Sequence, residues 1–153
     1  MAPHMKELKR DIVGAYIFSA DGKVLLGKSI KGCAYEGYLV IPGGGIDEGE
    51  TKIEALIREI QEEVGVDISG ADMKPLPESS GESKKTLRDT KETVMVKMRF
   101  FDYLVYLKSR ADEVGIVVAD DFGEANWYTK EDLANERLGP NTKKVLKSIS
   151  FIQ

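Results

Sequence analysis

Apolar residues recur along the chain in two rhythms, and each change of rhythm marks an element. Residues 11–19 are rich in Ile, Val, Tyr and Phe, ADGK supplies an Asp-Gly turn, and an apolar run resumes at residues 24–26, which predicts a β-hairpin. Residues 38–41 read as a short buried strand stopped by Pro42 and three glycines, where backbone turns tightly and can approach a ligand closely. From Thr51 the rhythm changes. Ile53, Leu56, Ile57, Ile60 and Val64 recur at spacings of three and four, the mark of an amphipathic helix with its stripe on a core, and Gly65 is its natural stop. Residues 70–93 are polar, with Pro75, Pro77 and ESSGESKK, and read as a long mobile loop or small irregular insertion that could cap a pocket or mediate a dimer. Residues 94–107 return to strand chemistry as the longest β run, and residues 116–118 and 125–128 read as shorter strands around an acidic segment. Thr129 with Asp132 has capping-box spacing, and Asn141 after Pro140 is placed to cap a final helix ending near Ile149. Strands alternate irregularly with two or three helices and no repeat is visible, so the class is α/β or α+β with a mixed sheet.

Length and charge narrow what such a fold could do. The 153 residues suit one domain with a real core. A formal net charge of −4 leaves no basic footprint for general nucleic-acid or membrane-surface binding, so a polyanionic substrate would have to be held through bound cations. Cys33 is the lone cysteine, which excludes an intrachain disulfide, a cysteine zinc cluster and a thiol redox pair and suggests a reducing compartment. The start lacks a signal-peptide core, and no run approaches the roughly 20 apolar residues that span a bilayer, so a cytoplasmic location is expected. Pro3-His4-Met5 has the look of a cloning remnant; residues 1–4, with the lone histidine, then stand outside the fold and histidine has no catalytic part.

The chemistry is concentrated on the predicted helix. At about 100° per residue, Glu59, Glu62 and Glu63 share an arc roughly 100° wide, beside the apolar stripe rather than opposite it, and Ala55 leaves space one turn earlier. Such neighbours repel by a few tenths of a kcal/mol per pair. Taken alone, a glutamate-rich helix is most simply a solvated face. The other reading is a docking site for Mg²⁺, which takes hard oxygen ligands, keeps several waters and binds through a few carboxylates together with substrate phosphates.

The surroundings favour the second reading. Gly44, Glu50, Arg58, Glu59, Glu62, Glu63 and Gly65, followed by apolar Val66, fit Gly-x5-Glu-x7-Arg-Glu-Ile-x-Glu-Glu-x-Gly, which resembles the signature box of the Nudix hydrolases at every specified position. IPGGG ahead of the box and EANWYTKEDL after it extend the likeness over most of the chain. The resemblance implies one domain with an α/β/α sandwich around a mixed β-sheet, and Mg²⁺-dependent hydrolysis, with Mn²⁺ able to substitute, of a nucleoside diphosphate linked to another moiety. It also implies that Glu59, Glu62, Glu63 and the Gly43 carbonyl bind metal, that Arg58 orients a carboxylate, and that Glu50 supports the loop or the start of the helix. Glu54 is expected instead as an i,i+4 partner of Arg58. The general base is Glu59 in some relatives and a later acidic residue in others; Asp120 and Asp121, just before Trp127, occupy the place where such an acid is often found, although aspartate is also simply a turn residue.

Substrate choice rests on the remaining walls. Asn141 resembles the purine-reading asparagine of MutT-type members that cleave 8-oxo-dGTP, since an amide both donates and accepts, or it is only the helix cap. Lys28, after the second strand of the hairpin, resembles a basic residue that relatives use on substrate phosphate, or it is simply an exposed lysine; Gly44 of the box is a further substrate-binding candidate. Lys97 and Arg99 share one face of the long strand, as substrate partners or as a polar outer surface. The expectation is a nucleoside triphosphate, oxidised or not, cleaved to monophosphate and pyrophosphate by a monomer or homodimer without a DNA-binding module or membrane anchor. ADP-ribose, a nucleotide sugar or a capped RNA end, or a domain that senses nucleotides without cleaving them, are the alternatives.

Overall fold

In the computed structural model, residues 5–28, 36–119 and 122–153 are described. His4, Cys33, Asp120 and Asp121 lie outside them.

The predicted hairpin is formed by β1 (Glu7–Phe18) and β2 (Val24–Lys28). Residues 13–18 of β1 are buried without alternation because both faces of the strand are covered, which is why this stretch reads as a continuous apolar run. The faces still separate by parity. Val13, Ala15 and Ile17 pack with Leu56, Ile60 and Val64 of helix α1 (Lys52–Val64), whereas Tyr16 and Phe18 pack with Leu104 and with Leu146 of helix α2 (Pro140–Ser148). The sheet therefore lies between α1 and α2, as the sandwich requires. Each fully buried Leu or Ile on these faces contributes about 1.5–3 kcal/mol relative to exposure.

The remaining strands are β3 (Leu39–Val40), β4 (Gly43–Gly45), β5 (Asp72–Pro75), β6 (Ser79–Thr86), β7 (Thr93–Tyr106) and β8 (Ala125–Tyr128). The order across the mixed sheet is β3-β2-β1-β7-β5, with β4 on β1, β6 on β7 and β8 on β2. At its centre β1 and β7 run parallel, in register from Glu7 opposite Met95 to Phe18 opposite Tyr106. No helix among the described residues is long and apolar enough to cross a membrane.

Local signals set the ends of α1. Thr51 Oγ1 accepts from Glu54 N at 3.1 Å and Glu54 Oε1 from Thr51 N at 3.0 Å, a complete capping box, and Gly65 closes the helix at φ 68°. Thr129 and Asp132 exchange the same pair of bonds ahead of a 3₁₀ turn, Asp132–Asn135. Ile53, counted in the apolar stripe, is instead exposed at the first turn.

Three expectations fail. Residues 70–93 are not a loop: β5 and β6 both pair antiparallel with β7, and the polar ESSGESKK is exposed edge strand, where charge discourages further pairing. Residues 116–118 are not a strand, because Val117 N and Ala119 N donate to the carbonyls of Val64 and Glu63 and lay this segment on the last turn of α1. Asn141 is not the helix cap. Gly139 holds that place, Pro140 takes the first turn, and the Asn141 side chain is turned elsewhere.

Candidate active site

Strand β4 lies between β1 and α1, antiparallel to β1 with Gly43 opposite Gly14. A Cβ at Gly44 would fall on the carboxylate of Glu59, so glycine is what lets that group rest against the backbone. Gly43 N donates to Glu63 Oε1 at 2.6 Å. Glu59 and Glu63 thus flank the glycine bend from one face of α1, and Glu62, 58% exposed, stands on the rim. Together with Arg10, Gly45 and Ala119, these residues line a cleft of about 350 Å³.

Arg58 organises the carboxylates. Its Nε and Nη2 form a fork on Glu50 at 2.8 Å each, Nη2 also reaches the Gly45 carbonyl at 3.0 Å, and Nη1 donates to Glu59 Oε1 at 2.9 Å and to Glu62 at 3.2 Å. The fork, with the Asp47 amide behind it, holds the Glu50 carboxyl down at about 2, and the guanidinium is held above its ordinary value by Glu50 first. Glu50 also accepts from Asp47 N at 2.8 Å, which secures the loop before the helix as expected. Glu54 is not Arg58's partner, because the capping box claims it.

The side chains are chemically suited to a hard divalent cation: carboxylate oxygens line the cleft, and the glycine cradle admits Glu59 to the backbone. Among the described residues no three Asp, Glu, His or Cys side chains converge tightly enough to hold an ion as they stand: Arg58 Nη1 holds Glu59 and Glu62, and the Gly43 amide holds Glu63. Ala119, the last described residue before Asp120, lines the cleft.

Another cavity, of about 280 Å³, shares Gly43 and Gly44 with the cleft. Its walls include Tyr16, Ile41, Phe100, Asp102, Asn141 and Thr142. Asn141 Nδ2 donates to Asp102 Oδ2 at 3.4 Å. Burial pushes the Asp102 carboxyl up, against the lowering effect of that bond, and burial followed by the charge of Asp102 pushes the Tyr16 hydroxyl up as well.

The candidates from the sequence therefore separate. Gly43, Gly44, Glu59, Glu62 and Glu63 meet in the cleft, Arg58 braces it, and Asn141 lines the adjoining cavity. Lys28 ends β2 opposite Leu39 and lines neither space. Lys97 and Arg99 pair with Glu7 and Asp11 of the neighbouring strand, and both line a wide cavity of about 1120 Å³ that shares Arg10 with the cleft. Two residues escaped the sequence reading. Arg10 lies over Gly45 and lines the cleft, and Asp102 is brought against Gly14 by strand register alone.

A family model described as the NUDIX domain matches residues 8–149. The nucleoside triphosphatase NudI of Escherichia coli K12 is 33% identical over 114 residues, which is 74% of this chain and 77% of that protein. Among solved structures, a MutT NUDIX hydrolase from Burkholderia pseudomallei aligns with TM-score 0.63 at 24% identity, covering 93% of this chain and 98% of that one. The NUDIX domain of Shewanella oneidensis NrtR, complexed with ADP ribose, aligns with TM-score 0.69 at 18% identity, covering 94% and 87%. The fold, the complete box around Gly44 and the span of the family match agree: the chain belongs to the Nudix family and is a pyrophosphohydrolase.

Proposed function

We propose that this protein hydrolyses a nucleoside triphosphate, 8-oxo-dGTP-like oxidised forms included, to the monophosphate and pyrophosphate with Mg²⁺, or Mn²⁺ in its place. The observation that carries the proposal is the Glu59 carboxylate seated against Gly44 and braced by Arg58, with Glu63 on the adjoining Gly43 amide. The substrate class is supported by the one-third identity to a nucleoside triphosphatase.

Glu59, Glu62, Glu63 and the Gly43 carbonyl are the residues that would hold the ion. Bound there, a divalent cation supplies Lewis-acid shielding of phosphate charge and a water more acidic than bulk. The chain's own residues do the rest. Arg58 fixes the rotamers of Glu59 and Glu62 through donors that stay charged at every working pH. Arg10 sets a positive charge on the wall of an otherwise acidic cleft, where substrate phosphate enters. Glu59, Asp120 or Asp121 accepts the proton of the attacking water; Ala119 on the cleft wall supports a base from the segment that follows it. Lys28 remains a candidate for more distant phosphate, and Asn141 for the base.

ADP-ribose is the second reading, favoured by its presence on the structurally similar NrtR domain. Sensing without cleavage is disfavoured by the intact set of box carboxylates. A cytoplasmic monomer or homodimer remains the setting proposed.

The test is a panel of nucleoside triphosphates, ADP-ribose and nucleotide sugars with Mg²⁺, read by phosphate release after a coupling phosphatase and by product analysis. Glu59→Gln and Glu63→Gln should each abolish turnover while thermal melts stay cooperative. Near-normal turnover in both variants would refute the proposal.

A further inference from the structure

The cavity beside the glutamate cleft contains a carboxylate that hydrolysis does not use. Asp102 sits on β7 at 8% exposure, and its Oδ1 would stand 2.7 Å from a Cβ at Gly14, so the glycine makes room for it. The same cavity is walled by Ile12, Ile41 and Phe100. Among the described residues the Asp102 side chain has no lysine or arginine partner, and its one hydrogen bond is the long contact from Asn141. Two other polar side chains lie at that depth, Thr142 and Tyr16, and the Tyr16 hydroxyl is directed at the Asn141 carbonyl at 3.5 Å. Burying a carboxylate with so little compensation is costly unless something else completes its hydrogen bonding.

The cavity and the cleft have Gly43 and Gly44 in common, which brings the base of a nucleotide held by its phosphates among the glutamates within reach of these walls. With Asn141 Nδ2 turned to Asp102, the amide presents its oxygen. Both side chains then offer acceptors. Adenine and cytosine place a donor and an acceptor side by side, and uracil a single N–H between two carbonyls. A 2-amino-6-oxopurine alone among the common bases places two N–H donors next to each other, at N1 and at the 2-amino group.

We infer that Asp102, with Asn141, is the specificity-determining pair of this enzyme and takes a guanine-type ring by its N1–H and 2-amino group. The inference rests on the proposed hydrolysis for the location of the phosphates, and not for the chemistry of the pair. Oxidation at position 8 lies away from that edge, so Asp102 serves guanine and 8-oxoguanine alike.

The experiment compares GTP with ITP, which differs only by lacking the 2-amino group, on the full chain with Mg²⁺. The wild type should favour GTP in kcat/KM by about ten- to a hundred-fold, the usual worth of a bidentate base contact. Asp102→Asn, nearly isosteric and with the buried charge removed, should bring the ratio toward one, with a larger loss on GTP than on ITP. Calorimetry with GMP and IMP should show the same preference and its collapse. A wild-type ratio near one, a preference for ATP, or an unchanged ratio in Asp102→Asn overturns the inference. The wild-type comparison needs no variant to fold. If no nucleotide is cleaved, the proposed hydrolysis has failed, and the GMP and IMP isotherms still decide the pair; if all bases are cleaved equally, the pair has failed and the hydrolysis stands.

Discussion

Gly43 and Gly44 are neighbours in β4, yet alanine at the two positions should damage different properties. At Gly43 the new methyl would meet the main chain of β1, lying 2.8 Å from the Gly14 Cα and closer still to the Val13 carbonyl. Backbone in a paired strand cannot step aside, so overpacking of about 1–3 kcal/mol is expected, a fall in Tm of roughly 2–12 °C for a domain of this size. At Gly44 the nearest atoms are those of the Glu59 carboxylate, with Oε1 at 2.8 Å, the free end of a long side chain. Displacing it to an off-rotamer position costs about 0.5–1.5 kcal/mol, offset by about 0.4–1 kcal/mol from a stiffer unfolded chain. The melt should therefore stay within about 4 °C of wild type. Turnover should not survive, because a reacting group moved by about 1 Å loses on the order of 10²-fold in rate. Thermal melts and Mg²⁺-dependent phosphate release on both variants separate the effects. Gly44→Ala with turnover within threefold of wild type, or Gly43→Ala melting with wild type, would show that the glycines are not the cradle described.

Thr51→Ala removes the reciprocal cap of α1 and should cost about 1 kcal/mol, or roughly 2–4 °C in Tm, with KM unchanged because the cap lies away from the cleft. The Asp21 carboxyl is held at about 2, first by the Ala111 amide and next by the Ser19 hydroxyl; with a folded value below the unfolded one, its contribution is present above about pH 4 and disappears as pH falls toward 2. Asp21→Ala should thus melt lower than wild type at pH 7, and the gap should narrow in acid; a gap independent of pH would contradict this. The sign is opposite for Asp102, whose folded value is raised by burial: the benefit belongs to the protonated form, is present below about pH 4 and is lost as pH rises through the folded value. Asp102→Asn should therefore melt higher than wild type at pH 7 and match it in acid, as differential scanning calorimetry would show.

Helix α1 was legible because everything that defines it is local: a stripe at spacings of three and four, a cap at Thr51 and a stop at Gly65. The box was legible for the same reason, since one helical turn brings Glu59, Glu62 and Glu63 to a single face. Strand β6 was not, because ESSGESKK has no apolar alternation and becomes strand only by pairing with residues 93–100 of β7. Residues 116–118 have strand composition but spend their amides on the carbonyls at the end of α1. Glu54 could not be assigned from spacing, since the cap and Arg58 compete for it and the helix terminus wins. Asp102 and Arg10 depend on which strands lie side by side. A carboxylate in a run of Phe, Tyr, Leu and Val was the available signal for Asp102, and the glycine at position 14 that admits it gains meaning only once β1 and β7 are aligned.

The alignment of β1 with β7 also dictates the order in which the molecule can assemble. Asp11 and Arg99, joined at 2.9 Å, are 88 residues apart in sequence. Closing so long a span must precede most of the stabilisation at the centre of the sheet, so the nascent chain carries its glutamate helix with no finished platform to rest on until β7 has been synthesised. Truncation before residue 93 should leave a chain with every box residue present and no enzyme.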